Sequence, residues 1–85
     1  ERVADFLMDG DTWEMKSPRS DSLKAIERNV KRARNQSPCV VLDSRRMRKV
    51  PDAAIERELR RCAKTIKGIR RLLLVDRHGS VTTIL

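Results

Sequence analysis

The sequence predicts an α/β domain whose mixed sheet contains an N-terminal β-hairpin and two crossover helices, in the order ββαβαββ. Two short, continuous apolar runs at residues 39–42 and 72–75 are typical of buried strands. An amphipathic segment with helical spacing precedes each of these runs, which indicates strand-helix-strand units with parallel strands. An Asp-Gly pair at residues 9–10, flanked by strand-like runs, predicts the hairpin.

The hairpin strands are predicted over residues 3–8 and 12–17, with the Asp-Gly pair at 9–10 at the centre of a type I′ turn. In that register the numbers of facing residues sum to 19, so Phe6 faces Trp13. A four-residue loop would raise the sum to 21. The local sequence leaves both registers open.

Two carboxylates and an ammonium group are expected on one face of the hairpin. In the tight-turn register Asp5 faces Glu14, and the period of two places Glu14 and Lys16 on the same face. Like charges directly opposite each other destabilise a hairpin, so this pair indicates a site for a divalent cation. With the longer loop, Asp5 faces Lys16 and forms an ordinary ion pair.

The first helix is predicted over residues 21–35. Its apolar residues recur with 3-4-3 spacing and form one buried stripe: Leu23, Ile26, Val30 and Ala33. On its outer surface Lys24, Arg28 and Lys31 fall on a second stripe, which either follows a phosphate backbone or is a solvated helix face.

A basic loop is predicted after the first buried strand, which ends at Asp43. Residues 44–50 read SRRMRKV and contain four cations: Arg45, Arg46, Arg48 and Lys49. This density of positive charge favours contact with a polyanion over a flexible surface connection. Asp43 lies at the carboxyl end of its strand, where α/β sheets place functional residues, or it caps the loop.

The second helix is predicted to begin at Pro51, to bury an apolar stripe with 4-3-4 spacing and to stop at Gly68. Its alternating acidic and basic residues predict a surface of salt bridges. The strand that follows is predicted over residues 69–76 and buried on both faces. A turn containing His78 then leads to an edge strand over residues 81–85.

Length and charge predict one small domain, residues 1–85, with an anionic partner. The formal net charge is +8, from 20 Lys and Arg against 12 Asp and Glu. Nucleic acid is the leading candidate partner on that ground. No apolar run reaches the length of a membrane span. The first residue, Glu1, suggests a fragment of a longer polypeptide, and Cys39 and Cys62 are expected to be core filler.

Several segments carry a family resemblance: DFLMDG and WEMKSP within residues 5–18, ARNQS at 33–37 and VVLD at 40–43. The pattern of Asp5 followed by Glu14-Met15-Lys16 resembles the PD-(D/E)xK nuclease superfamily. Within it, these segments resemble the C-terminal toxin nuclease domain of bacterial contact-dependent growth inhibition proteins. The resemblance implies a restriction-endonuclease-like fold.

The resemblance also implies roles for individual residues. Asp5 and Glu14 would bind Mg²⁺ or Mn²⁺, with the Met15 carbonyl as a further ligand, and Lys16 would be the catalytic ammonium. From their positions in the chain, and not from the resemblance, three further residues are expected to support the site: Ser17, Gln36 and Asp43. By the same resemblance the domain is a secreted or surface-delivered effector that cleaves tRNA in the cytoplasm of a target bacterium, with DNA as the alternative substrate. An acidic cognate immunity protein would neutralise it.

Two other functions remain open from the sequence. A metal-independent ribonuclease toxin of the barnase, colicin or RelE kind would use His78 as a general base together with the basic clusters. A non-catalytic nucleic-acid-binding module would need the positive charge alone.

Overall fold

The computed structural model describes residues 6–8 and 10–85, and the side chains from residue 8 onward except that of residue 9. The strands and helices follow each other in the predicted order, ββαβαββ. They are β1 (Phe6–Met8), β2 (Asp11–Lys16), α1 (Leu23–Arg34), β3 (Cys39–Asp43), α2 (Asp52–Thr65), β4 (Arg71–Val75) and β5 (Val81–Thr83).

The strands form one mixed sheet with the order β1-β2-β3-β4-β5. The central strands β2, β3 and β4 are parallel, whereas β1 and β5 pair antiparallel with their neighbours. The mixed sheet and the edge position of β5 are therefore confirmed. Because α1 and α2 each connect two neighbouring parallel strands in the same direction across the sheet, both right-handed crossovers bring their helix to the same face.

The main core lies between that face of the sheet and the two helices. Helix α1 contributes Ile26, Val30 and Ala33, and α2 contributes Ile55, Leu59 and Cys62. From the strands, this cluster receives Val40, Leu42, Leu72 and Leu74. The predicted apolar stripes are thus buried, except that Leu23 at the start of α1 is 40% exposed. As the first residue of its helix, Leu23 has helical neighbours on one side only.

A smaller cluster covers part of the opposite face of the sheet. Trp13, Cys39 and Val41 are buried there, and the Arg71 guanidinium lies 5.6 Å from the centre of the Trp13 ring. The prediction that β4 is buried on both faces is wrong, since Leu73 and Val75 are only partly buried. The physical reason is that both described helices pack on the same face. Strand β3 is buried along its whole length, as predicted.

The hairpin adopts the register whose facing numbers sum to 19. Phe6 faces Trp13, residue 7 faces residue 12, and Met8 faces Asp11. Gly10 has a φ of +83°, a backbone conformation that glycine adopts without steric cost. The four-residue loop is therefore excluded for these pairs, whereas the type of turn and the pairing of Asp5 fall outside the described residues.

Both helices have defined ends. Helix α1 begins after Ser22, whose hydroxyl accepts a hydrogen bond from the Lys24 backbone N–H at 3.2 Å. Helix α2 begins after Pro51 and ends at Thr65, with Ile66 as its C-cap, so it stops earlier than the predicted Gly68. Gly68 lies in the turn that follows, with a φ of +92°. Neither helix has the length and apolarity that a bilayer span requires, among the residues described.

Candidate nuclease site

The predicted proximity of Glu14 and Lys16 is confirmed. The Lys16 Nζ lies 3.3 Å from the Glu14 Oε2. The Glu14 side chain has no solvent exposure, and that of Lys16 is 16% exposed. Burying a carboxylate is costly unless a cation or hydrogen bonds compensate, and this ammonium is one such group.

Strand β2 directs this pair toward the helices. Glu14 lies beside Val40 and Lys16 beside Leu42 in the parallel pairing of β2 with β3, and both neighbours belong to the core beneath the helices. Trp13 belongs to the cluster on the other face, as the alternation of side chains requires. The Glu14–Lys16 pair therefore lies at the edge of the apolar core between the sheet and the helices.

The other predicted metal ligands are only partly described. Asp5 lies outside the described residues. Met15 lies between Glu14 and Lys16 on β2, and its side chain, 39% exposed, is on the opposite face of the sheet. Within residues 6–8 and 10–85, no three His, Cys, Asp or Glu side chains form a cluster suited to a metal ion.

The basic loop is anchored to the protein through three buried residues, two of which are apolar. Ser44, Met47 and Val50 are buried, with Met47 only 1% exposed. Backbone hydrogen bonds join Met47 to Ser44 at 2.9 Å and Val50 to Met47 at 3.4 Å. Since every third residue points inward, the cations between them are all exposed: Arg45, Arg46, Arg48 and Lys49. This spacing of three was the signal in SRRMRKV that the sequence analysis missed.

Asp43 organises the start of this loop. It is 5% exposed, and its Oδ2 accepts a 2.6 Å hydrogen bond from the Nη2 of Arg45. Its Oδ1 accepts hydrogen bonds from the Nε and backbone N–H of the same arginine, both at 3.0 Å. These contacts lower the pKa of the Asp43 carboxyl. Because Asp43 follows Leu42 on β3, it points to the face opposite Lys16, and the structure does not bring it to the Glu14–Lys16 pair.

The basic loop and the first helix meet near the carboxyl ends of the parallel strands. The backbone N–H of Lys49 donates to Asp21 Oδ1 at 3.1 Å, which ties the loop to the segment just before α1. Lys24 lies in the first turn of that helix. Of the predicted helix stripe, Lys31 is paired with Glu27 at 3.4 Å, and all three cations are exposed.

The remaining candidates lie in three different places. Ser17 follows Lys16 directly and is partly buried. Gln36 lies just past the end of α1, before the start of β3, and thus at the end of the strands opposite Lys16. His78 is exposed in the turn between β4 and β5, where its backbone N–H donates to Asp76 Oδ1 at 2.9 Å. In the sheet order, β3 and β4 lie between β2 and this turn.

The fold has a solved counterpart. The structure is similar to that of a chain in a CdiA-CT/CdiI toxin and immunity complex from Burkholderia pseudomallei, with a TM-score of 0.70 and 18% sequence identity. The similarity covers 88% of this chain and 56% of that chain, so the present chain spans little more than half of its structural neighbour. At this identity the likeness concerns the fold.

Sequence comparison supplies the family. No curated protein is significantly similar to the chain. The model of the contact-dependent growth inhibition CdiA C-terminal domain, however, matches residues 2–81, which is nearly the whole sequence. The chain therefore belongs to the family of CdiA C-terminal domains of contact-dependent growth inhibition.

Proposed function

We propose that this domain is a metal-dependent endonuclease that hydrolyses phosphodiester bonds in RNA, with tRNA as its substrate in a target bacterium. Family membership implies a toxic effector. The observation that carries the nuclease assignment is the Glu14–Lys16 pair, in which a fully buried carboxylate lies 3.3 Å from an ammonium group. Charged groups held in a buried position at a cost in stability are typical of functional sites.

The proposed metal ligands are the carboxylates of Asp5 and Glu14 and the main-chain carbonyl of Met15. The described hairpin pairs support the first two, because their numbers sum to 19, which is the register in which the sequence predicts that Asp5 faces Glu14. This donor set consists of oxygen atoms only, which suits Mg²⁺ or Mn²⁺. When bound, such an ion would lower the pKa of a coordinated water and offset charge on the phosphoryl group.

Lys16 is proposed as the catalytic ammonium. Its partial exposure leaves it accessible from solvent, whereas Glu14 is fully covered and orients it from below. An ammonium at this position stabilises the negative charge that develops on the phosphate oxygens as the bond to the attacking oxygen forms. The parallel pairing of β2 with β3 holds both side chains on a rigid element.

The RNA backbone is proposed to lie along the basic surface beside this pair. That surface consists of Lys24, Arg28 and Lys31 on α1 and of Arg45, Arg46, Arg48 and Lys49 in the anchored loop. Arg45 is neutralised by Asp43 and Lys31 by Glu27, so the other cations are expected to carry most of the phosphate contacts. Ser17 is proposed to support the site through its position next to Lys16.

We also propose that a cognate acidic immunity protein neutralises the domain and that the toxin acts in the cytoplasm after delivery by cell contact. The net charge of +8 supports an acidic partner. The solved structure with the same fold contains a toxin and its immunity protein. A restriction-endonuclease-like relationship belongs to the same proposal, and the Glu-x-Lys pair on a central strand supports it.

Cleavage of total tRNA by the purified domain tests the proposal. Reactions contain Mg²⁺, Mn²⁺ or EDTA, and they compare the wild type with Glu14→Gln, Lys16→Ala and Asp5→Asn. Lys67→Ala is the matched control, because it removes an exposed ammonium that lies outside the site and outside the proposed RNA surface. Cleavage is expected with metal only, with a loss of at least about 100-fold in the three site variants and no loss in the control.

Two results would reject this function. Cleavage that persists in EDTA and disappears in His78→Ala would assign the activity to a metal-independent ribonuclease. Salt-dependent binding of tRNA without cleavage in any metal would assign a binding module. Thermal unfolding of each variant shows whether a loss of activity reflects a loss of the fold.

A further inference from the structure

The outer face of α2 carries a groove that the proposed nuclease site does not use. The groove has a volume of about 530 Å³ and is lined by residues that recur every three or four positions: Ala53, Glu56, Arg57, Arg60, Arg61 and Lys64. This spacing describes one face of a helix. A second hollow of about 290 Å³ shares Arg60 and Lys64 and continues to Ile84 and Leu85 at the end of the chain.

The positive charges in this groove are not all neutralised within the domain. Arg60 pairs with Glu56 at 2.7 Å, and Arg61 pairs with Glu58 at 2.6 Å. For Arg57 and Lys64, by contrast, no acidic side chain lies within ion-pair distance in the described part of the chain. These two cations are seven residues apart on one helix face, or roughly 10 Å along its axis.

Carbon atoms form an aliphatic floor around these cations, in which the stems of Arg60 and Arg61 lie between Arg57 and Lys64 and small or apolar side chains lie beyond them. Carbon atoms dominate the lining of both hollows, which include Ala53, Ala63, Ile84 and Leu85. The stems of arginine and lysine add further apolar surface while their charged ends stay in water.

We infer that this groove docks an acidic amphipathic helix of a partner protein. An apolar ridge on such a helix packs into the aliphatic floor, because the side-chain ridges of one helix fit the grooves of another. Acidic residues beside the ridge, two turns apart, pair with Arg57 and Lys64. A phosphate backbone would form ion pairs with the two cations, but it would not bury the apolar surface around them. A second copy of this chain, with its own charge of +8, would be repelled.

The inference is independent of catalysis, because the groove lies on the solvent side of α2 and Glu14 lies beneath α1. A variant without nuclease activity would still dock the helix. A domain that fails to dock it would still cleave RNA. The two proposals therefore fail separately.

The test uses two synthetic helical peptides of about five turns, composed of the same Glu, Leu and Ala residues. In the first peptide the leucines form one stripe flanked by glutamates, and in the second they are spread evenly around the helix. Binding is measured by fluorescence anisotropy for the wild type, for Arg57→Glu with Lys64→Glu, and for Lys24→Glu with Arg28→Glu. The last variant makes the same change of charge on α1, and thermal unfolding confirms that each variant is folded.

The wild type and the α1 variant are expected to bind the striped peptide at least about tenfold more tightly than the even peptide, and the α2 variant is expected to lose this preference. Equal binding of the two peptides by the wild type would show attraction by charge alone and would overturn the inference. Unchanged peptide binding by the α2 variant would also overturn it. So would a loss of tRNA binding confined to the α2 variant, which would make the groove a surface for RNA.

Discussion

Removing the Lys16 ammonium while keeping aliphatic bulk at that position is expected to destabilise the fold by about 3 kcal/mol. Lys16→Met takes the cation away from a carboxylate that has no solvent exposure, and breaking such a pair from one side typically costs about 3 to 5 kcal/mol. The lower end applies because the lysine is partly exposed. An 85-residue domain has a total stability of roughly 4 to 13 kcal/mol, so the loss is large.

A double variant separates charge from packing. Replacing Glu14 and Lys16 together by methionine leaves no unpaired charge from this ion pair, and such replacements are often neutral or stabilising. The double variant is therefore expected to be at least as stable as the wild type and fully inactive. Lys31→Met is the control, since it removes an exposed pair with Glu27 that is worth about 0.5 kcal/mol or less.

Fluorescence of Trp13 provides the assay, because this single tryptophan is fully buried one residue from Glu14. For a domain of this size, 3 kcal/mol corresponds to a fall in Tm of roughly 12 to 24 °C. If Lys16→Met unfolds at the same temperature as Lys31→Met, the ion pair is not buried in solution and the reasoning fails. If the double variant is as unstable as Lys16→Met, the loss comes from packing and not from charge.

Three further predictions concern residues around the site. Met47→Ala should lower the free energy of unfolding by about 2 to 5 kcal/mol and weaken tRNA binding, because Met47 anchors the basic loop. Met15→Ala is the comparison, and it should lower the free energy of unfolding much less because Met15 is exposed. Urea unfolding measures the first effect and a binding titration measures the second. Asp43 has a pKa lowered by its hydrogen bonds from Arg45, so its contribution to stability is present above about pH 4 and is lost as the pH falls through the pKa of the folded state. The Tm of Asp43→Asn should therefore lie below that of the wild type at pH 6, and the difference should shrink as the pH falls below about 4. A difference that stays constant would contradict this account. Burial raises the pKa of the Cys62 thiol to about 11. Alkylation of this thiol by iodoacetamide at pH 8 should therefore be slow until urea unfolds the domain. Equal alkylation rates with and without urea would contradict the buried position.

Local patterns predicted most of the fold correctly. The Asp-Gly pair indicated the tight turn, and the described strand pairs have the register that such a turn requires. Apolar spacing placed Ile26 and Val30 on the inner face of α1 and Leu59 on that of α2. These features depend on the spacing of apolar residues within one helix or strand and on the turn between two consecutive strands. Such properties can be read from a few consecutive residues.

The burial of the Glu14–Lys16 pair and the anchoring of the basic loop could not be predicted from local sequence patterns, because both depend on tertiary contacts. The prediction that Glu14 and Lys16 share a face was correct, but their burial beneath α1 depends on which face of the sheet receives the helices. Anchoring of the basic loop depends on a core pocket for Met47, and its position beside α1 depends on the bond from Lys49 to Asp21. Each of these contacts joins residues that are far apart in the chain or belong to different layers.

By itself, therefore, the sequence determined the order of elements, the apolar faces of both helices and the placement of an acid and an amine on one face of a strand, and it left two hairpin registers open. Only the tertiary structure decided which register the described hairpin pairs adopt, that both helices cover the same face, that Glu14 is fully buried, and that Arg57 and Lys64 line one groove on α2. The physical reason is that side-chain periodicity assigns faces within an element, whereas burial and surface shape arise where separate elements pack together.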